Sequence, residues 1–420
     1  MARPRYKITE IGEIPQEWEI SKLSKIFKIF TGTTPSTKIG KYWYNGSVEW
    51  LTPKDLSRMA DTIILPPSER KITPEAVKQF GLNLIPEESI LISTRAPVGY
   101  VGINKIKITF NQGCKGLVPI EHGSNDSSFY AYYLKYIRNF LVSVSGGSTF
   151  KELSKERLAS LDVPIPPLSE QQKIAEILST ADYAIQRVDE QITLSESLKK
   201  GLMQTLLIKG IGHTKFKVTE IGEIPDTWNV KELYQVSELR REMIEPMEFI
   251  TEHYVGLENI PRGKLRIISY GDASNLKSSK FKFKKYDILY GKLRPYLDKV
   301  ALAETDGVCS TDIIPIVSKN SDARFLAYML HSDSFLQFVK STISGTNHPR
   351  TAWKQMSHFK LPFPSISEQQ KIAEILLTVD EKLGLLKGRR DHLEKLKKVL
   401  MNDLLTGKVR IKIESSGSEN

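Results

Sequence analysis

Between positions 169 and 207 a series of residues recurs at alternating steps of four and three: Ile174, Leu178, Ala181, Ile185, Val188, Ile192, Ser195, Lys199, Leu202 and Leu206. Between 367 and 405 the same steps select Ile372, Leu376, Val379, Leu383, Leu386, Arg390, Leu393, Lys397, Leu400 and Leu404. Eight of the ten positions are apolar in each series, the seam of a long helix that packs along another helix. Pro166 and Pro167 before Ser169, with Gln172 three residues on, predict a capping-box start; Pro364, Ser367 and Gln370 repeat it. Gly210 and Gly407 predict the ends. At ~1.5 Å per residue the first helix is a rod of about 58 Å. The polar seam residues Lys199, Arg390 and Lys397 then need exposed ends or acidic partners.

Outside these stretches the pattern shortens. Segments 21–160 and 231–358 alternate brief β-rich runs (89–94 and 287–290) with Gly, Pro and Asn turns. Each also holds one aromatic helix, marked by Phe129, Ala131, Tyr132 and Leu134 in the first and Phe325, Ala327, Tyr328 and Leu330 in the second. The fold class read from this is α+β.

The chain repeats itself. Residues 7–20 match 217–230 at nine of fourteen positions, and 161–182 match 359–380 at fourteen of twenty-two, including an unbroken ten from 169–178 and 367–376. The offset of the second pair is 198 residues, and Pro97 and Pro295 share it. Two similar globular domains, separated by two long matched helices, follow from this duplication. The expected boundaries are 1–167 for the first domain, 168–210 for the central helix, 211–365 for the second domain, 366–410 for the C-terminal helix and 411–420 for a disordered tail. A pseudo-twofold relation between the halves makes the helix pairing an antiparallel coiled coil.

The 420 residues contain 40% hydrophobic and 26% charged residues, a globular composition long enough for several cores. Two cysteines, Cys114 and Cys309, are too few for a disulfide framework and point to a reducing cytoplasm. The start, Met1-Ala2-Arg3-Pro4-Arg5, lacks the apolar stretch of a signal peptide, and no run approaches the ~20 apolar residues of a membrane helix. The net charge is +11. Residues 1–167 carry 22 basic and 16 acidic groups and 211–365 carry 22 and 18, so most of the surplus lies in the globular segments. A polyanion with a repeating backbone, double-stranded DNA above all, suits such a chain.

Several local features could contact it. Arg95 lies close to Pro97 and Lys292 and Arg294 close to Pro295, each at the end of a β run where a turn would project a basic side chain. An arginine there could pair with guanine or clamp a phosphate, or it could be an ordinary surface arginine in a salt bridge. Asn111, Gln112 and Lys115 are candidates because amide heads suit adenine, with turn capping as the alternative. The Gly loops before the helices offer Ser148, Thr149 and Lys151 in one half and Thr346, Asn347, His348 and Arg350 in the other, either as DNA-contacting loops or as plain linkers. Lys277, Lys280, Lys282, Lys284 and Lys285 are interleaved with Phe281 and Phe283. In a strand this gives a basic face over a buried one, for phosphate contact or as a solvated edge. Motifs for phosphate loops, zinc proteases, paired C-x-x-C sites and S-adenosylmethionine binding do not occur in the sequence. The chain is therefore read as non-catalytic.

The doubled Pro-x-Pro-x-x-Ser-Glu-Gln-Gln-Lys-Ile-Ala-Glu-Ile-Leu at 164–178 and 362–376, with Ile-Gly-Glu-Ile-Pro-x-x-Trp at 11–18 and 221–228, resembles the specificity subunits of type I restriction–modification systems. Segments 50–56, 95–99, 111–113, 254–260 and 309–312 resemble stretches common in their target-recognition domains; Lys54 lies in the first of them. The resemblance implies that each domain reads one half of a split DNA target while the helical pair sets the spacer. It implies two methyltransferase (modification) subunits and restriction or translocase subunits as partners. S-adenosylmethionine, ATP and magnesium then belong to those partners, with no cofactor or metal in this chain. The alternatives are a specificity chain of a fused restriction–methylation enzyme that cuts near its site, a self-contained nuclease or methyltransferase, and a scaffold whose coiled coil bridges proteins.

Overall fold

A computed structural model describes residues 5–59, 62–121, 123–146, 151–245, 253–273, 278–343 and 349–411. The chain forms two compact units, Met1–Glu190 with Gly388–Asn420 and Gln191–Lys387, so the division falls inside both long helices. Apart from Ile411, the tail expected at 411–420 lies outside the described residues.

The first unit is built on a four-stranded antiparallel sheet in the order Phe27–Thr31, Cys114–Pro119, Ile90–Ser93, Val101–Ile103. Ile90–Ser93 is buried at every position because both its faces are covered. Ile90 and Ile92 pack with Phe129, Tyr130 and Tyr133 of the aromatic helix Ser127–Tyr136. Leu91 turns the other way, to a cluster with Leu51, Leu56 and Phe110. A continuous apolar run is what a strand covered on both sides requires. Phe110 belongs to a second sheet, Lys71–Ile72, Val48–Leu51 and Thr109–Phe110, whose last two strands run parallel.

The second unit repeats this plan. Its sheet runs Ser237–Leu239, Ile313–Ser318, Ile288–Gly291, Val300–Leu302. Ile288 and Tyr290 face the helix Ala323–Leu330, and Leu289 faces Val255, Phe283 and Cys309. Here too the second sheet contains one parallel pair, Tyr254–Val255 with Gly307–Cys309.

The long helices are Leu168–Lys209 and Ile366–Leu405. They begin before the expected caps, so Ser169 and Ser367 sit inside the first turn. The Pro167 carbonyl accepts the Glu170 N–H at 2.9 Å, and Ser365 rather than Ser367 receives the Glu368 N–H at 3.0 Å through its own carbonyl. The Ser365 hydroxyl also accepts the Glu368 N–H, at 3.4 Å, so the second helix is capped two residues before Ser367. Gly210 and Gly407 end the helices at φ of +67° and +70°, the left-handed conformation that favours glycine.

Within the first unit Asp182 pairs with Lys397, and Asp189 with Arg390 at 2.6 Å. As one partner advances seven residues the other retreats seven, which is antiparallel packing. Within the second unit Lys199 pairs with Asp380 at 2.6 Å and Glu196 with Lys387 at 2.6 Å, again antiparallel. All three basic seam residues therefore meet acids, and no seam position in either helix is exposed.

The repeated Ser-Glu-Gln-Gln motif anchors each domain to its helix. Glu170, 1% exposed, accepts the Trp18 indole N–H at 2.9 Å, and Glu368 accepts that of Trp228 at 2.9 Å. Gln171 accepts the Asp126 N–H at 2.9 Å while donating to the Pro166 carbonyl; Gln369 does the same for Asp322 and Pro364. These buried groups are satisfied reciprocally, which pins the start of each aromatic helix.

Candidate nucleic-acid interface

In the first unit the residues after Ile90–Ser93 turn outward and hold several candidates together. Gly113 is the hub, its carbonyl accepting the N–H of Thr94 at 2.7 Å, that of Arg95 at 3.2 Å and the Thr94 hydroxyl at 3.2 Å. Its own N–H is capped by the Asn111 side-chain oxygen at 3.0 Å, the turn-capping role. Gln112 is exposed and takes a hydrogen bond from the Thr34 hydroxyl. A Cβ on Gly113 would lie 2.9 Å from the Pro53 ring, so this turn sits against the short helix Pro53–Ser57 that carries Lys54. Lys54 is exposed and tied to Glu69 at 2.8 Å.

Arg95 is half-exposed and its Nε lies 3.0 Å from the Glu152 carboxylate, an ion pair across an isolated antiparallel bridge. Glu152 also closes a bridge with Gly146, and Lys151 beside it is exposed. Lys115 differs from the other cations, being 5% exposed with its ammonium 3.5 Å from the Gln112 carbonyl. Burial pushes its pKa down, Glu152 opposes that shift, and Arg95 adds to it.

The second unit gathers Lys292, Arg294 and Arg350 in the matching place. The Lys292 N–H donates to the Asp312 carbonyl at 2.9 Å, the Arg294 N–H to Pro349 at 2.8 Å and the Thr351 N–H to Lys292 at 3.1 Å. Arg350 is half-exposed and holds Asp312 through Nε at 3.0 Å, which raises its pKa further. Arg294 is exposed at φ +50°, a conformation unfavourable for a side-chain-bearing residue and often found at functional sites. No hydrogen bond or ion pair engages its guanidinium among the described residues.

Two expectations change. Lys280 and Lys282 do not form one open basic face: the strand Lys280–Phe283 buries Lys280 to 7% while Lys282 is exposed. Lys280 lies beside the neighbouring strand Met243–Ile244 and bends its ammonium to the Ser278 carbonyl and hydroxyl, at 2.8 and 2.6 Å. A long stem buried under a polar tip accounts for this. Arg95 and Arg294 are also not equivalent, because the bridge corresponding to Arg95–Glu152 is Leu293–Arg350. Ser148, Thr149, Thr346, Asn347 and His348 lie outside the described residues.

Glu152 escaped the sequence reading, and Asp312 lay in segment 309–312 without being singled out; the available signal was the offset of 198 residues, which sets Glu152 against Arg350. An open groove of about 1540 Å³ in the second unit, lined among others by Lys199, Met203, Leu265, Arg266, Met329 and Leu383, includes none of these cations.

Two similar α+β domains with cationic clusters at matching strand ends, each on an antiparallel helix pair, define a duplicated recognition scaffold. Comparison with known proteins places it further. The profile described as type I restriction modification DNA specificity domain matches residues 15–195 and again 225–395, and the chain belongs to that family. It is a specificity chain and not a catalytic one. It is 37% identical over 235 residues to the type I restriction enzyme MjaIX specificity subunit of Methanocaldococcus jannaschii, a match spanning 54% of this chain and 53% of that one. It is 27% identical to the MjaVIII specificity subunit of the same organism, over 95% of this chain and 94% of that one. In fold it resembles the crystal structure of the type I system S subunit from M. genitalium, with a TM-score of 0.60 and 16% identity, covering 98% of this chain and all of that one.

Proposed function

We propose that the chain reads a bipartite DNA target, one half-site per domain, and positions methyltransferase and restriction subunits on it in the cytoplasm. The observation that carries this reading is the recurrence of a cationic cluster at matching strand ends where the two domains have otherwise diverged: Arg95 with exposed Lys151 in one, Arg294 with Arg350 in the other. Phosphate contacts fix position, and side chains on the same surface read base edges. S-adenosylmethionine, ATP and magnesium belong on this reading to the partner subunits, and the modification subunit supplies the chemistry on a base turned out of the duplex. The helices leave apolar surface beyond their seam for such partners, including Leu198 and Leu396 at equivalent places. Among the described residues no helix is long and apolar enough to cross a membrane.

Selection from a randomised duplex pool by the chain with its modification subunits tests the proposal. Two fixed blocks separated by an unspecified gap are expected. A single contiguous block would contradict it, and methylation or cleavage by the chain alone would contradict its non-catalytic role.

A further inference from the structure

Each of the matching β-bridges carries one arginine held by a carboxylate, from different residues in the two units. In the first unit the arginine stands on the strand-end side, Arg95, and the carboxylate across the bridge, Glu152. In the second unit the strand-end residue is Leu293, the arginine has moved across to Arg350, and the carboxylate is Asp312 from the segment after Gly307–Cys309. Both guanidinium groups lie with Nε 3.0 Å from a carboxylate oxygen, Arg350 adding a longer bond from one terminal nitrogen at 3.5 Å, and both remain half-exposed. Exposed ion pairs contribute little to stability, so folding alone does not call for the pair to be rebuilt. A surface contact formed by chance has no reason to reappear at the same bridge from other residues.

We propose that Glu152 and Asp312 are specificity-determining residues that reserve Arg95 and Arg350 for base edges. The inference rests on the reading that these clusters face DNA. A carboxylate on Nε cancels the charge that a phosphate would seek, and it repels a phosphate that approaches. It leaves N–H groups on the terminal nitrogens, and the guanine edge is a neutral acceptor that those donors can meet without displacing the carboxylate. In the second unit, where Asp312 accepts from both Nε and a terminal nitrogen of Arg350, the carboxylate also holds the guanidinium plane in one orientation, which directional base pairing needs and phosphate attraction does not. Each domain thereby keeps an arginine out of sequence-independent binding, while Arg294, with no such partner, remains available for it.

Salt dependence on a random-sequence duplex tests this, because each phosphate neutralised by a cation contributes about 0.9 to the slope of log affinity against log salt. In the full chain, Glu152→Gln and Asp312→Asn should each tighten binding and steepen the slope by about 0.9. Adding Arg95→Ala to the first variant and Arg350→Ala to the second should abolish the gain. Asp312→Asn is the cleaner case, since Ile314 stands where the first unit has Lys115 beside Glu152. Unchanged slopes in the single variants, or gains that survive the added alanine, would overturn the inference with the DNA reading intact. Failure of the unaltered chain to bind the duplex at low salt would instead sink the DNA reading and the inference together.

Discussion

Lys115 and Ile314 occupy the same rung of their sheets, opposite Ile92 and Tyr290. An ammonium in an isoleucine's place is costly, and burial accordingly lowers its pKa. The sign of the pH dependence follows. Below the lowered folded value both states carry the proton and the full cost is present. Between that value and the ordinary lysine value the unfolded chain holds more protons, so stability rises with pH. Lys115→Met should therefore raise stability near neutrality, by ~1–4 kcal/mol, and remove this alkaline gain relative to the unaltered chain. Denaturant unfolding of both proteins from pH 7 to 11 checks it; equal stabilities throughout would mean that the ammonium is well solvated. Arg294→Ala should lower the salt slope on random-sequence DNA by about 0.9, because its guanidinium is already available to phosphate. An unchanged slope would remove Arg294 from the interface. At this scale the sequence identified candidate cations but could not sort them. Arg350 is tied to an acid 38 residues away, and Lys280 is folded back on Ser278 by packing that strand alternation does not encode.

The helices owe their pairing to a few polar seam positions as well as to leucine and isoleucine. Asp182, 7% exposed, binds Lys397 and also accepts the Tyr132 hydroxyl at 2.6 Å; Asp380 serves Lys199 and Tyr328 in the same way. One carboxylate thus links the opposite helix to the aromatic helix of its domain. Asp182→Asn removes the charge facing a buried lysine and should cost about 3–5 kcal/mol, the range for breaking a buried pair. A shift in the unfolding midpoint measures this, and a loss below about 1 kcal/mol would show the pair to be as weak as an exposed one. The seam itself was legible because its period is local and strong. The two seam lysines, which look like defects in that pattern, become intelligible only with the acid at the facing level. The helix starts were misplaced because Ser169 and Ser367 lie inside the first turn; the Glu and the first Gln of the motif are spent on Trp18 and Asp126 in one unit and on Trp228 and Asp322 in the other.

The duplication explains the length of the chain and narrows the meaning of its basic surplus. Matched stretches such as Trp18 with Glu170 and Trp228 with Glu368 hold each domain to its helix, so their retention is a demand of folding. The bridge residues Arg95, Glu152, Leu293 and Arg350 face no such demand, and there the halves differ in charge order. Similar scaffolds with differing surfaces are what a reader of two unlike half-sites needs. The repeats made that division visible in the sequence, but the surface itself is assembled by contacts between distant segments, beyond the reach of any local pattern. One experiment separates the two domains' roles. Residues 211–365 are replaced by the corresponding segment of the MjaVIII specificity subunit, and methylated bases are mapped in a host that carries the chimaera with its modification subunit. One half-site should change while the other is retained. Change in both half-sites, or in neither, would contradict the assignment of one half-site to each domain.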